Sequence, residues 1–195
     1  MPQLLITGFD PFVGETVNPA WEAVKRLPDA IGGWTLHKLE IPTVFADASR
    51  AVIAEAQRIK PDAVICVGQA GGRAAVTPEM VGINLRYGRI ADNAGCAPQD
   101  EPVVPGAPTA YLATLPVRAM AEAVSAAGIP AAVSYSAGAF VCNDVLYSVL
   151  HHFDGTGVRS GFIHVPFLPE QAKPGVPSMP LDDIVRALEI CIQTL

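Results

Sequence analysis

Two hydrophobic rhythms alternate along this chain. Short, uninterrupted apolar runs at 4–7 (LLIT), 63–67 (AVICV), 131–136 (AAVSYS) and 161–165 (GFIHV) predict strands. A strand that is apolar at every position is one covered on both faces, as in a largely parallel sheet. Residues 36–41 alternate more weakly, and 81–85 predict one further short strand. Between these runs the apolar spacing turns helical. Asn18-Pro19 is a helix start, with Asn as cap and Pro at the first helical position, and the helix runs to Leu27, burying Trp21, Val24 and Leu27 or near neighbours. Further helices are predicted over 43–59, ending at Lys60-Pro61, and over 109–127, kinked near Pro116 and stopped by Gly128. Val145, Leu146, Val149 and Leu150 mark a helix that runs to Phe153, and Ile184, Leu188, Cys191 and Leu195 mark one over 181–195. Strands alternating with helices predict an α/β fold with helices on both faces of a twisted, mostly parallel (mixed) sheet, an α/β/α sandwich formed by one domain over 1–195. In such sheets sites form at the C-terminal strand ends. The loops after Thr7, Val67 and Ser136 therefore hold the candidates, among them the long irregular stretch 68–106.

Composition narrows the class. The 195 residues are 50% hydrophobic and only 16% charged, below the roughly 25% expected of a soluble domain. Excess apolar surface is relieved by association, so a homo-oligomer is expected. The net charge of −6 carries no basic cluster, which argues against nucleic acid as a partner. The start, MPQLLITGFD, lacks a basic leader, and no run approaches the ~18 apolar residues of a spanning helix. A cytoplasmic protein without membrane contact is expected. Cys66, Cys96, Cys142 and Cys191 are widely spaced with no CxxC, which argues against zinc and against a disulfide framework. No cofactor or metal is expected.

The chemistry concentrates at residues 135–152, YSAGAFVCNDVLYSVLHH. A small-residue turn, Ala137-Gly138-Ala139, places Cys142 at the start of a helix, where unpaired N–H groups and the dipole favour an anion and help a thiol to ionise. The same cysteine could equally be a small buried hydrophobe. A thiol nucleophile needs a base and an orienting group. His37 lies in an ordinary strand, and His151 and His152 are about 13 Å or more along the helix from Cys142. His164, ending an apolar strand at a loop entrance, is the candidate base. Glu79, alone among apolar neighbours, is the candidate orienter, with Asp92 as its competitor.

Five segments together resemble the pyroglutamyl-peptidase I (pyrrolidone-carboxylate peptidase) family of cysteine peptidases: LLITGFDPFVGETVNPAWE, GQAGGRAAVTPEMVGIN, RIADNAG, SYSAGAFVCNDVLY and GFIHVPFLPEQ. The resemblance covers nearly the whole chain. It implies a triad of Cys142, His164 and Glu79, removal of N-terminal pyroglutamate from peptides through a thioacyl enzyme, and a tetramer. It also implies Arg89 as a second oxyanion donor beside the Cys142 N–H. Met80 stands where the family has a basic residue, and Ala91 where proline is common. A flat, uncharged lactam ring could be clasped by Phe9, Phe12, Phe140 and Val141, with Gln69 serving its polar edge. The alternatives are a hydrolase of another small amide or lactam on the same scaffold, and a non-catalytic oligomeric binding protein in which Cys142 only packs.

Overall fold

The strands that are apolar on both faces sit at the centre of the sheet, where both faces are covered. In the computed structural model, which describes residues 1–12 and 14–195, these are β1 (Gln3–Phe9), β4 (Ala63–Gln69) and β8 (Arg159–Val165), and the alternating, partly buried β3 (Trp34–Ile41) runs parallel beside β1. Two short antiparallel strands, β2 (Ala30–Ile31) and β5 (Thr77–Pro78), complete the order β2-β3-β1-β4-β8-β5. The sheet is therefore mixed, with a parallel centre. A separate pair, β6 (Val81–Ile83) and β7 (Ala110–Leu112), is antiparallel.

Alternation along each strand divides the core into two layers. Leu4, Ile6, Ile65 and Val67 face one side, against helices α1 (Pro19–Arg26), α3 (Val117–Ala126) and α5 (Leu181–Gln193). Leu5, Val64, Cys66 and Phe162 face the other, against α2 (Asp47–Ile59) and α4 (Val141–Phe153). Asn18 caps α1 by accepting from the Ala20 N–H at 3.0 Å, as its sequence predicts. Among the described residues, no helix is long and apolar enough to cross a membrane.

Several expected elements are shorter than predicted, for local reasons. Helix α2 starts at Asp47 and not at Thr43. The N–H groups of Thr43, Phe45 and Ala46 are taken by the carboxylates of Asp10, Asp92 and Asp144, and Ala46 lies at φ 62°. Residues 109–115 are extended, not helical. Ala110–Leu112 pairs with β6, Thr114 exchanges bonds with Ser160 in β8, and the helix begins only after Pro116. The 131–136 strand reduces to two bridges, Val76 with Ala131 and Glu79 with Ser134. Phe9 belongs to β1 and not to the loop after it.

Strand β1 and helix α1 touch at Gly8. A β-carbon there would lie 2.6 Å from both the Cα and the N of Trp21. Backbone cannot yield as a flexible side chain can, so Gly8→Ala should push α1 off the sheet. The expected cost is about 1–3 kcal/mol, read as a lower denaturation midpoint at unchanged slope. An unchanged midpoint would contradict the tight contact.

Candidate active site

Helix α4 presents Cys142 as its second residue. Its N-terminus differs from that of α1. Phe140 stands at the cap and no side chain accepts from the first turn, which leaves first-turn N–H groups without a side-chain acceptor. The next two residues fix the turn in place. Asn143 accepts from the Ile83 N–H at 3.0 Å and donates to the carbonyls of Ile83 and Leu85, each at 2.9 Å. Asp144, fully buried, accepts from Ala46 N–H at 3.0 Å and forms an ion pair with Arg86. These residues tether the helix start that bears Cys142 to the end of β6 and to the turn before α2.

The sulfur points at the end of the sheet. Cys142 Sγ lies 3.1 Å from the position a β-carbon on Gly68 would take, and the Phe162 ring lies 2.6 Å from it, so glycine gives both side chains room. Gly68 is the register partner of His164 across the parallel β4–β8 ladder, and register partners project to the same face of the sheet. Phe162, two residues before His164, places its ring over Gly68 and 4.8 Å from the imidazole. Sulfur, imidazole and phenyl ring thus gather around one glycine.

Glu79 reaches this point from the sheet edge. The antiparallel β5–β8 pairing carries the chain past Ile163, and the Glu79 N–H donates to the Phe162 carbonyl at 2.9 Å. The carboxylate is fully buried, and its Oε1 lies 2.7 Å from His164 Nδ1. Arg73 Nη1 donates to the same oxygen at 2.7 Å. Burial pushes the Glu79 carboxyl up, but bonding to His164 and Arg73, with the nearby Ser134 hydroxyl, more than reverses this and holds it below the ordinary value. Burial lowers His164, with Arg73 adding to the effect, against the opposing pull of Glu79. The Cys142 thiol is pushed up to about 12 by burial and by the Glu79 charge, which outweigh Arg73 and the thiol's own backbone N–H. Burial and the Glu79 charge therefore oppose the pull of the helix start and of Arg73 on the thiol.

Asp92 is excluded as orienter. Its oxygens accept from the N–H groups of Phe45, Ala94 and Cys96, so it organises a loop and does not face His164. His37 bonds to Gln3, and His151 bonds to the Tyr111 hydroxyl, both away from the thiol. Two cavities share Phe12 and Arg89 at their rims. One, of about 290 Å³, also has Tyr87, Ile90, Ala139 and Phe140 in its wall, and the other, of about 610 Å³, includes Gln69, Phe167 and Gln171. Phe12 and Phe140 lie 5.3 Å apart between ring centres, and Phe45 braces Phe140 edge-on at 5.0 Å. Gln171 donates to Gln69 Oε1 at 3.1 Å, which leaves the Gln69 N–H group to donate elsewhere. Arg89 is exposed. Phe9 and Val141 line neither cavity. The register of β1 and the first turn of α4 put both into the core layer with Phe162. Met80 packs partly buried against the opposite core layer, so an apolar residue suits that place. Sequence reasoning missed Arg73, Phe162, Gly68 and Phe45. The Gly-Gly-Arg run six residues before Glu79 was the one available signal for Arg73.

A model of the pyroglutamyl peptidase family matches residues 2–195 of this chain. The pyrrolidone-carboxylate peptidase of Levilactobacillus brevis is 53% identical, over 99% of this chain and 97% of its own. That of Thermococcus onnurineus is 50% identical, over 98% of each. Among solved structures, pyroglutamyl peptidase I of Bacillus amyloliquefaciens superposes with a TM-score of 0.96 at 46% identity, covering all of this chain and 96% of that one. The pyrrolidone carboxyl peptidase of Thermococcus litoralis gives 0.95 at 37% identity, covering all of this chain and 93% of that one. Matches of this extent in both sequence and fold leave one conclusion: the chain belongs to the pyroglutamyl peptidase family.

Proposed function

We propose that this chain, working as one cysteine-peptidase domain, removes pyroglutamate from the N-terminus of peptides, with Cys142 as nucleophile, His164 as base and Glu79 as orienter. The observation that carries the assignment is the meeting of the Cys142 sulfur with Gly68, the register partner of a histidine whose Nδ1 is held by a buried carboxylate. With Nδ1 committed to Glu79, Nε2 is the nitrogen left for the thiol. As the sulfur attacks the pyroglutamyl carbonyl, the thiol proton passes to His164 Nε2 and a carbon–sulfur bond forms. Collapse breaks the peptide C–N bond, and the same proton goes to the leaving amine. Water then attacks the thioester, giving its proton to His164. The second collapse returns that proton to the sulfur and frees pyroglutamate.

The oxyanion is met by the N–H of Cys142, in the first turn of an uncapped helix, with Arg89 as a second donor from the cavity rim. Phe12 and Phe140 clasp the ring, and the Gln69 N–H group serves the lactam carbonyl. A site that bonds a polar group rejects analogues lacking it by large factors, so prolyl substrates are poor. Phe9 supports this site from behind, through its ring 6.2 Å from Phe162, and Val141 through its place in the core beneath Phe140. The working protein is a cytoplasmic homo-oligomer, a reading supported by its low charge content and by exposed Leu112 and Tyr135.

Cys142→Ala should abolish release of a pyroglutamyl reporter and remove the alkylation that a pyroglutamyl analogue protects against. Full activity in that variant would end the assignment. The pH profile tests the base. His164 must be neutral to accept a proton, and its folded pKa lies below the ordinary 6.5. Activity is therefore lost only as pH falls through a value below 6.5, and kcat/KM should show its acid limb there. No further rise should occur between pH 7 and the thiol's ordinary 9.0, whereas a thiolate-limited enzyme would keep gaining through that range. Phe140→Ala should raise KM for the reporter roughly tenfold by removing one face of the clasp. A variant with the original KM would place the ring elsewhere.

A further inference from the structure

Arg73 lies in the loop between β4 and β5, six residues before Glu79. One nitrogen, Nη1, donates to Glu79 Oε1 at 2.7 Å and to Thr77 Oγ1 at 2.6 Å. The other, Nη2, donates to the Ser136 carbonyl at 3.0 Å. Ser136 opens the small-residue turn that leads into Cys142. We propose that Arg73 is a positioning residue for the peptidase reaction, locking the orienting carboxylate and the nucleophile's approach loop into one arrangement. This rests on the pyroglutamyl-peptidase reading and deepens it.

The physical case turns on how few partners Glu79 has. Its Oε2 accepts no hydrogen bond among the described residues. The Ser134 hydroxyl, which also favours the Glu79 charge, is turned to the Ser136 carbonyl at 3.2 Å. Oε1 therefore carries both bonds of a buried anion, one from the imidazole and one from Arg73. A single bond to His164 would leave the carboxylate free to swing about that contact and carry the imidazole with it. The planar guanidinium fork suits a two-sided bridge of this kind, which a lysine ammonium cannot reproduce. Arg73 is about one-third exposed, with 31% of its side-chain surface accessible, so its charge is partly hydrated while its bonds stay fixed.

The charged and titratable groups around His164 are Glu79 beyond β5, Arg73 on the β4–β5 loop and Cys142 on α4, while Phe162 on its own strand is neutral. Arg73 opposes protonation of the imidazole and favours the thiolate. Removing it should let the imidazole hold its proton to higher pH, so the acid limb of kcat/KM moves upward.

The test compares the full-length protein with Arg73→Gln and Arg73→Lys, reading kcat, KM, the pH profile, the thermal midpoint and the NMR titration of the His164 ring protons. The expected result for Arg73→Gln is a kcat loss of roughly ten- to a hundredfold, little change in KM, and upward movement of both the acid limb and the His164 titration. Arg73→Lys should restore the acid limb, because the charge is kept, and recover kcat only in part. A glutamine variant whose limb and His164 titration both coincide with the original protein would overturn the proposal. So would a loss of activity that follows only a fallen thermal midpoint. Absence of pyroglutamyl activity in the unsubstituted protein would instead count against the functional reading. The His164 titration still reads the Arg73 contact in that case.

Discussion

A carboxylate with no exposure to water has to be met by hydrogen bonds or surrender its charge, and Glu79 is that group here. Its oxygen Oε1 joins three stretches of chain: the turn bearing Arg73, the end of β8 bearing His164 and, through Arg73, the loop that enters α4. The antiparallel seating of Thr77 opposite His164 puts the carboxylate within reach of Nδ1. A shift of one residue along that pairing would turn the side chain to the other face. Everything said about the histidine follows from this one buried contact. It decides which ring nitrogen is held and which is left for the sulfur.

Cys142 is fixed by a different device. Asn143 and Asp144 spend their side chains on the backbone of neighbouring loops and on Arg86, so the helix start is anchored without a capping side chain. The N–H groups that a cap would have met are then left without a side-chain acceptor. Burial, though, works against charge at both members of the thiol–imidazole pair, raising one pKa and lowering the other. The site thus biases both groups toward their uncharged forms. Its fixed charges, on Glu79 and Arg73, lie one bond further out, where they orient the imidazole without holding its proton.

Much of this could be read along the chain. The run AVICV is apolar at every position and GFIHV at every position but His164, and both form central parallel strands; Asn18-Pro19 opens a helix because the cap and the fixed proline φ are local properties. Extended residues 109–115 were misread because their spacing also suits a helix. Their backbone is claimed by β6 and Ser160, partners the local pattern does not contain. Phe9 was placed one element too late for a similar reason, since β1 continues as long as Ile41 is there to pair with it.

By itself the sequence determined the alternation of strands and helices, the position of Cys142 at a helix start, the isolation of Glu79 and His164 among apolar neighbours, and the family. Only the tertiary structure decided that Asp92 serves a loop, that Arg73 shares the oxygen of Glu79, that Phe12 and Phe140 face a cavity while Phe9 and Val141 face the core, and that burial and the Glu79 charge raise the thiol's pKa. The division has a physical cause. Strand and helix periods depend on residues a few positions apart, whereas a hydrogen bond between residues 79 and 164, or the burial of a thiol against β4, depends on the register between distant strands.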